Sequence, residues 1–291
     1  MDQQHNPAKF ATVGAAPPVG LLGDLRGSAL VQRTEILRER GYIVFPKALS
    51  VDVCDRLMHF ARETPTLVRR MDHEPEGQPP RHALFDPARP QAVRYDYPVE
   101  ALLNQADVQA LLADPSLLAL AQSYLGSRPR ADVLSMWWHT NYHASPDSEA
   151  AQFYHFDLDR IKWFKVFIYL TDVGTQDGPH TFIEGSHRSG GIPQSMLRRG
   201  YVRLSDEEVL GHYSAEREIE FVAPRGTVIV EDTRGLHKGK AVSGSSRLVL
   251  QLQFSNSLFG ATYAKARLRE PQNQQLKQLM ATAPDVYSSY I

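Results

Sequence analysis

The sequence predicts a mainly β protein in which helices precede an antiparallel core, and three observations carry that expectation. Helical periodicity is confined to stretches before residue 126 and after residue 270. From about residue 131, short strand-like runs follow one another, separated by Gly, Pro, Asp and Ser. The chain has 291 residues, 42% hydrophobic and 22% charged, a globular composition long enough to bury a large core. Many short strands with turn punctuation indicate a sandwich or barrel.

Residues 1–22 are rich in Pro, Gly and Ala without periodicity and are expected to form a flexible arm, leaving 23–291 as a single domain. Residues 28–41, SALVQRTEILRERG, place Leu30, Val31, Ile36 and Leu37 at helical spacing, with Gly41 as the stop. A short strand, YIVFP, follows at 42–46. A second helix is expected over 50–63, with Ser50 as its cap. Cys54, the single cysteine, sits in that helix as a small buried hydrophobe. The polar, Pro-rich stretch 71–91 reads as a long surface loop of the kind that forms lids. Two short helices are expected over 106–126, split at Asp114-Pro115 and closed by Gly126. The strand runs are ADVLSMWWHTNY, QFYHFDL, KVFIYLTDV, HTFIEG, EIEFVAP, GTVIVED and RLVLQLQF, and 270–284 adds a surface helix.

Net charge is −1, which gives no strongly basic face for nucleic acid. One cysteine excludes an intramolecular disulfide, no apolar run approaches the length of a membrane span, and the N-terminus lacks the pattern of a secretory signal. A cytoplasmic setting is expected.

The chemistry centres on YHFDLD, 154–159. If 153–157 is extended, His155 and Asp157 share a face, with Cα atoms about 6–7 Å apart, and both side chains can reach one metal ion. A third ligand is expected at His237, which follows a β-branched strand and an Asp-Thr-Arg-Gly turn. Two histidines and one carboxylate form a facial triad suited to Fe(II), with three positions left open. Oxygen activation needs three: two for a chelating cosubstrate and one for O2. Structural zinc takes four protein ligands instead. Ten residues on, Arg247 opens a strand and shares a face with Val249, Gln251 and Gln253. An arginine fork there could hold the far carboxylate of an α-keto acid, or face bulk water.

His155-x-Asp157, GPHTFIEGSHR (178–188), GTVIVEDTRGLHKG and Arg247 together resemble the phytanoyl-CoA dioxygenase family over roughly residues 28–255. The resemblance implies a double-stranded β-helix, or jelly-roll, core of the cupin-like kind. It implies a dioxygenase using Fe(II), 2-oxoglutarate and O2, with His155, Asp157 and His237 on the metal and Arg247 on 2-oxoglutarate. It adds Arg94, Met136 and Phe167 as cosubstrate contacts, with Met136 facing the cavity. The family's hydroxyl two residues beyond the distal histidine is missing here, where the chain has Gly239. The implied reaction hydroxylates a small organic substrate and releases succinate and CO2. Desaturation or ring closure by the same chemistry is the nearest alternative, and a non-catalytic jelly-roll binding protein is another. Halogenation is disfavoured because Asp157 fills the position a halide needs. No adenine- or pantetheine-binding pattern indicates a CoA thioester.

Other conspicuous residues have plainer expected roles. His180 and His187 read as hydrogen-bonding or structural, and His139 and His143 as flanks of a polar loop. Trp137 and Trp138 face opposite sides of a strand. Asp159 is expected to pair with Arg160 or Lys162, or to be solvated.

Overall fold

The computed structural model describes residues 13, 14, 16–69, 71, 79–143, 145–148, 150–256, 259–261 and 263–290. Its first half runs β1 (Val19–Gly20), β2 (Gly23–Asp24), α1 (Ser28–Arg40), β3 (Tyr42–Phe45), α2 (Val51–Glu63), β4 (Thr66–Val68), β5 (Arg81–Ala83), β6 (Arg94–Asp96), α3 (Val99–Leu103), α4 (Ala106–Leu112) and α5 (Pro115–Leu125). The second half runs β7 (Arg130–His139), β8 (Trp163–Tyr169), β9 (His180–Ile183), α6 (Gln194–Leu197), α7 (Asp206–Leu210), β10 (Glu218–Glu220), β11 (Val228–Glu231), β12 (His237–Gly239), β13 (Arg247–Ser255) and α8 (Gln274–Thr282).

Local chemistry sets the helix ends. Gly41 closes α1 at φ 90°, a left-handed conformation that glycine adopts without a Cβ penalty. A Cβ there would also lie 2.5 Å from His187 Nδ1 and 2.7 Å from the Phe182 ring. Ser50 caps α2 by accepting from the Val53 amide at 3.4 Å. Asp114 caps α5 by accepting from the Leu117 amide at 2.9 Å.

Eight strands form one antiparallel sheet in the order β3-β11-β8-β13-β7-β6-β4-β5, and β10-β9-β12 form a second. Alternation along each strand sorts the side chains to two faces. Leu248, Leu250, Leu252 and Phe254 of β13 join Met136 and Trp138 of β7 and Val166 and Ile168 of β8 in a core shared with the helices, including Leu37, Leu57 and Leu117. The opposite face carries Trp137, Phe167, Tyr169, Ile229 and Val249, which pack against Phe182 of the small sheet and Phe221. A third cluster, including Tyr154, Ile183, Leu204, Val209 and Leu236, covers the small sheet with the segment that bears α6 and α7. The result is the expected mainly β jelly roll with flanking helices, and the space between its two sheets is where the site lies.

Several features differ from expectation. Residues 1–12 and 15 of the expected arm lie outside the described residues, but its end is anchored. The Leu21 amide donates to Asp114 Oδ2 and the Leu22 amide to Ser116 Oγ, and Leu22 is buried. Within the expected loop 71–91, residues 72–78 are not described, while β5 pairs with β4. Residues 99–103 form α3, a helix too short for its periodicity to show in the sequence. The 270–284 segment does form a helix, but Leu276 and Leu279 are buried, so it packs on the core with one face. No helix among the described residues is long and apolar enough to cross a membrane.

Candidate metal centre and cosubstrate pocket

His155 and Asp157 lie in an extended segment that forms only isolated bridges, not a full strand. The reason is its partners: Tyr154 bridges Leu204, while His155 bridges only the first residue of β12 and Asp157 bonds to the turn before it, so no continuous edge is available. The His155 amide donates to the His237 carbonyl at 3.0 Å, and the His237 amide returns the bond at 2.9 Å. The Asp157 amide donates to the Thr233 carbonyl at 2.9 Å. Trp163 Nε1 holds the same turn by donating to Thr233 Oγ1 at 2.9 Å. These bonds bring residues 80 positions apart to one point and fix the phase of both segments.

The three side chains converge. His155, Asp157 and His237 are buried, and one ligand atom from each lies within 4.8 Å of the others. His155 Nε2 is 3.9 Å from Asp157 Oδ1, and His237 Nε2 is 3.6 Å from Asp157 Oδ2. Each imidazole is oriented by its other nitrogen: His155 Nδ1 donates to the Phe153 carbonyl and His237 Nδ1 to the Gly235 carbonyl, both at 2.9 Å. The Nε2 lone pairs therefore point at the shared space, as metal-ligating histidines require. Burial holds both rings neutral, pushing His237 down to about 4 and His155 well below its ordinary value. Burial alone would raise Asp157, but the ammonium of Lys165 beside it holds it ionised, below the usual carboxylate range. Two neutral imidazoles and one carboxylate on a single face are a donor set that fits Fe(II) and leaves the opposite positions open.

Around this centre lie residues that nothing in their local sequence ties to it. Lys165 Nζ donates to Asp157 Oδ2 at 2.5 Å and is 3.7 Å from Asp159 Oδ2. Asp159 thus pairs with Lys165; Arg160 instead reaches Asp132, and Lys162 the Tyr124 carbonyl. Glu231, fully buried opposite Lys165 in the β11–β8 ladder, shares a hydrogen bond with His180 Nε2 through Oε1 at 3.0 Å. Burial drives the carboxyl well above its ordinary value and His180 down to about 3. Both are uncharged at neutral pH, so this contact is a neutral hydrogen bond, not an ion pair. The signal for Lys165 was its phase with Phe167 and Tyr169, which puts a lysine on an inward face.

The expected cosubstrate residues divide. Arg247 is buried on the inner face, its Nη1 donating to the Gly178 carbonyl and its Nη2 to His139 Nδ1 at 2.8 Å. Its Nε has no partner among the described residues. Arg94 stands in the same cross-strand row, opposite His139 of β7, which is itself opposite Arg247 of β13. Arg94 pairs with Asp96 at 2.8 Å and lies over the Trp137 ring at 4.6 Å. Phe167 is on the inner face, its ring centroid 4.4 Å from that of His180. Met136 is not brought to the site. It is paired with Leu250 and buried on the helix side of the sheet, because its strand position is one residue out of phase with Trp137.

The sequence matches the model of the family described as Phytanoyl-CoA dioxygenase (PhyH) over residues 37–249. No curated protein matches it. Among solved structures it is similar to HygX from Streptomyces hygroscopicus with nickel and 2-oxoglutarate bound, at TM-score 0.55 and 15% identity over 84% of this chain and 93% of that chain. It is also similar to the non-heme alpha ketoglutarate dependent carbocyclase SnoK, at TM-score 0.54 and 16% identity over 85% of this chain and 89% of that chain. A third is the epimerase SnoN in complex with Fe3+, alpha ketoglutarate and nogalamycin RO, at TM-score 0.52 and 17% identity over 79% of this chain and 84% of that chain.

Proposed function

Because the chain belongs to the phytanoyl-CoA dioxygenase family and is thus an Fe(II)- and 2-oxoglutarate-dependent oxygenase, we propose that it hydroxylates a small organic substrate at a centre formed by His155, Asp157 and His237. The observation that carries the assignment of these three is their convergence, with ligand atoms within 4.8 Å and both imidazoles turned Nε2-inward by backbone carbonyls. With Fe(II) and 2-oxoglutarate bound, such a centre supplies the oxidative chemistry: O2 is consumed, one oxygen atom enters succinate as CO2 leaves, and the other enters the substrate C–H bond as hydroxyl.

The chain's own residues do the positioning. Asp157 contributes the one negative charge, and the neutral histidines offer lone pairs without competing protons. Arg247 grips the far carboxylate of 2-oxoglutarate, and Phe167 walls the pocket beside it. Burial of His155, Asp157, His237 and Arg247 limits their contact with bulk water, which strengthens these electrostatic contacts.

The folds shared with a carbocyclase and an epimerase support a second outcome of the same chemistry, in which the oxidised substrate closes a ring or inverts a centre instead of gaining oxygen. One experiment addresses both readings. Anaerobically iron-loaded protein is mixed with 2-oxoglutarate, O2 and a panel of small metabolites, and succinate and product mass are followed. Substrate-stimulated succinate with a product 16 mass units heavier supports hydroxylation. Succinate with an isomeric or dehydrogenated product supports the second reading. No 2-oxoglutarate turnover, with or without any candidate, would leave a binding protein as the better description.

A further inference from the structure

Three donors stand in one row across adjacent strands: Arg94 of β6, His139 of β7 and Arg247 of β13, each directly opposite the next. Directly opposed residues point to the same face of a sheet. The row thus gathers two guanidinium groups and an imidazole at one end of the inner face, with Asp96, already paired to Arg94, as the acid beside it. Arg247 is buried with no carboxylate partner among its hydrogen bonds. A buried cation left with neutral partners is costly unless an anion completes the site.

The state of His139 follows from its neighbours. The ring is buried, and burial together with Arg247 and Arg94 keeps it neutral, well below its ordinary value. An arginine can only donate, so His139 Nδ1, 2.8 Å from Arg247 Nη2, must accept. A neutral imidazole accepting at Nδ1 carries its proton on Nε2. The Ala150 backbone lies within reach of the ring, but Nε2 has no partner of hydrogen-bond geometry among the described residues. An N–H donor is thus available in the anion-binding row.

Gly239 gives the independent observation. A Cβ built there would lie 3.1 Å from Arg247 Nη2 and 3.4 Å from His139 Cε1. The space a side chain at 239 would use is therefore taken up by the His139 ring and the Arg247 fork. We propose that His139 completes this anion site, orienting Arg247 through Nδ1 and donating from Nε2 to the distal carboxylate of 2-oxoglutarate.

The inference rests on the 2-oxoglutarate reading above, and its test separates the two. Binding is measured anaerobically by calorimetry on Mn(II)-loaded protein, using 2-oxoglutarate and, as a ligand without the distal carboxylate, 2-oxobutanoate. His139→Ala should weaken 2-oxoglutarate about tenfold or more, leaving Mn(II) affinity and 2-oxobutanoate binding unchanged. Gly239→Ser should weaken 2-oxoglutarate in the parent, where the new side chain is crowded, and strengthen it in the His139→Ala background, where the ring has been removed. His139→Gln, which keeps an acceptor and a donor, should lie between parent and Ala, and carries the comparison if the Ala variant does not fold. Parent protein that binds Mn(II) but not 2-oxoglutarate would overturn the underlying reading. Equal 2-oxoglutarate affinity in parent and His139→Ala, or His139→Gln if that variant is used, would overturn this inference alone. So would a Gly239→Ser effect of the same sign in both backgrounds.

Discussion

Lys165 Nζ sits 2.5 Å from Asp157 Oδ2, so the carboxylate that faces the two histidines is held by a buried ammonium. Oδ1 is then the oxygen nearer His155, at 3.9 Å, and Oδ2 the one nearer His237, at 3.6 Å. The lysine fixes the carboxylate's rotation and supplies the positive charge that a metal ion would otherwise bring.

That arrangement predicts an exchange between Lys165 and metal. Lys165→Met leaves Asp157 buried without its cation, which should lower metal-free stability by ~3–5 kcal/mol. Adding Mn(II) should recover most of the loss, so the metal-induced rise in Tm should be larger in the variant than in the parent. Equal rises would show that Lys165 does not compensate the ligand charge.

Asp157 itself gives a sharper outcome. Asp157→Ala should lose most metal affinity and nearly all substrate oxidation, and Asp157→Glu should be impaired because the added methylene moves the oxygen. Asp157→Gly should vacate a position chloride can enter, without a requirement that halogenation follow. Iron content, succinate and product are measured for all three. Full activity in Asp157→Ala would remove this residue from the ligand set.

Arg247→Lys keeps the charge but loses the planar fork. Affinity for 2-oxoglutarate should fall by ~1.5–3 kcal/mol, the range for a hydrogen bond to a charged group. Calorimetric titration checks this, and unchanged affinity would place the cosubstrate carboxylate elsewhere.

The Glu231–His180 pair predicts how stability varies with pH. Glu231 is raised well above 4.5 by burial, so the unfolded chain ionises it while the fold keeps it protonated. Its presence therefore costs progressively more stability as pH rises above 4.5. Glu231→Gln removes that cost and keeps a donor to His180, so its Tm advantage over the parent should grow from pH 5 to pH 8. His180, pushed down to about 3, acts in the other direction: its contribution is complete above 6.5 and is lost as pH falls from 6.5 toward 3. Melting curves of metal-free protein across that range test both signs. A Glu231→Gln offset that does not change with pH would contradict the neutral, buried carboxyl.

Much of this protein could be read from its sequence because the deciding signals are local. Period-2 alternation in RLVLQLQF put Arg247 and Val249 on one face and the leucines on the other, and burial sorted them as expected. The caps Ser50 and Asp114 and the left-handed Gly41 mark helix ends through hydrogen bonds to nearby backbone and φ alone. The spacing of His155 and Asp157 set their common direction. Tertiary structure decided what these local signals leave open. Whether His237 reaches the other two depends on the bonds tying His155 and Asp157 to His237 and Thr233, contacts between segments about 80 residues apart. Met136 and Trp137 are adjacent in sequence, and only the packing of helices on one face and the small sheet on the other shows which of them meets the site. Lys165 and Glu231 look like ordinary strand residues in the sequence and His139 like the flank of a polar loop, and register is what sets them opposite partners from distant strands. Long-range pairing and burial determine those roles, because the charge and proton a buried group holds depend on the neighbours the fold places beside it.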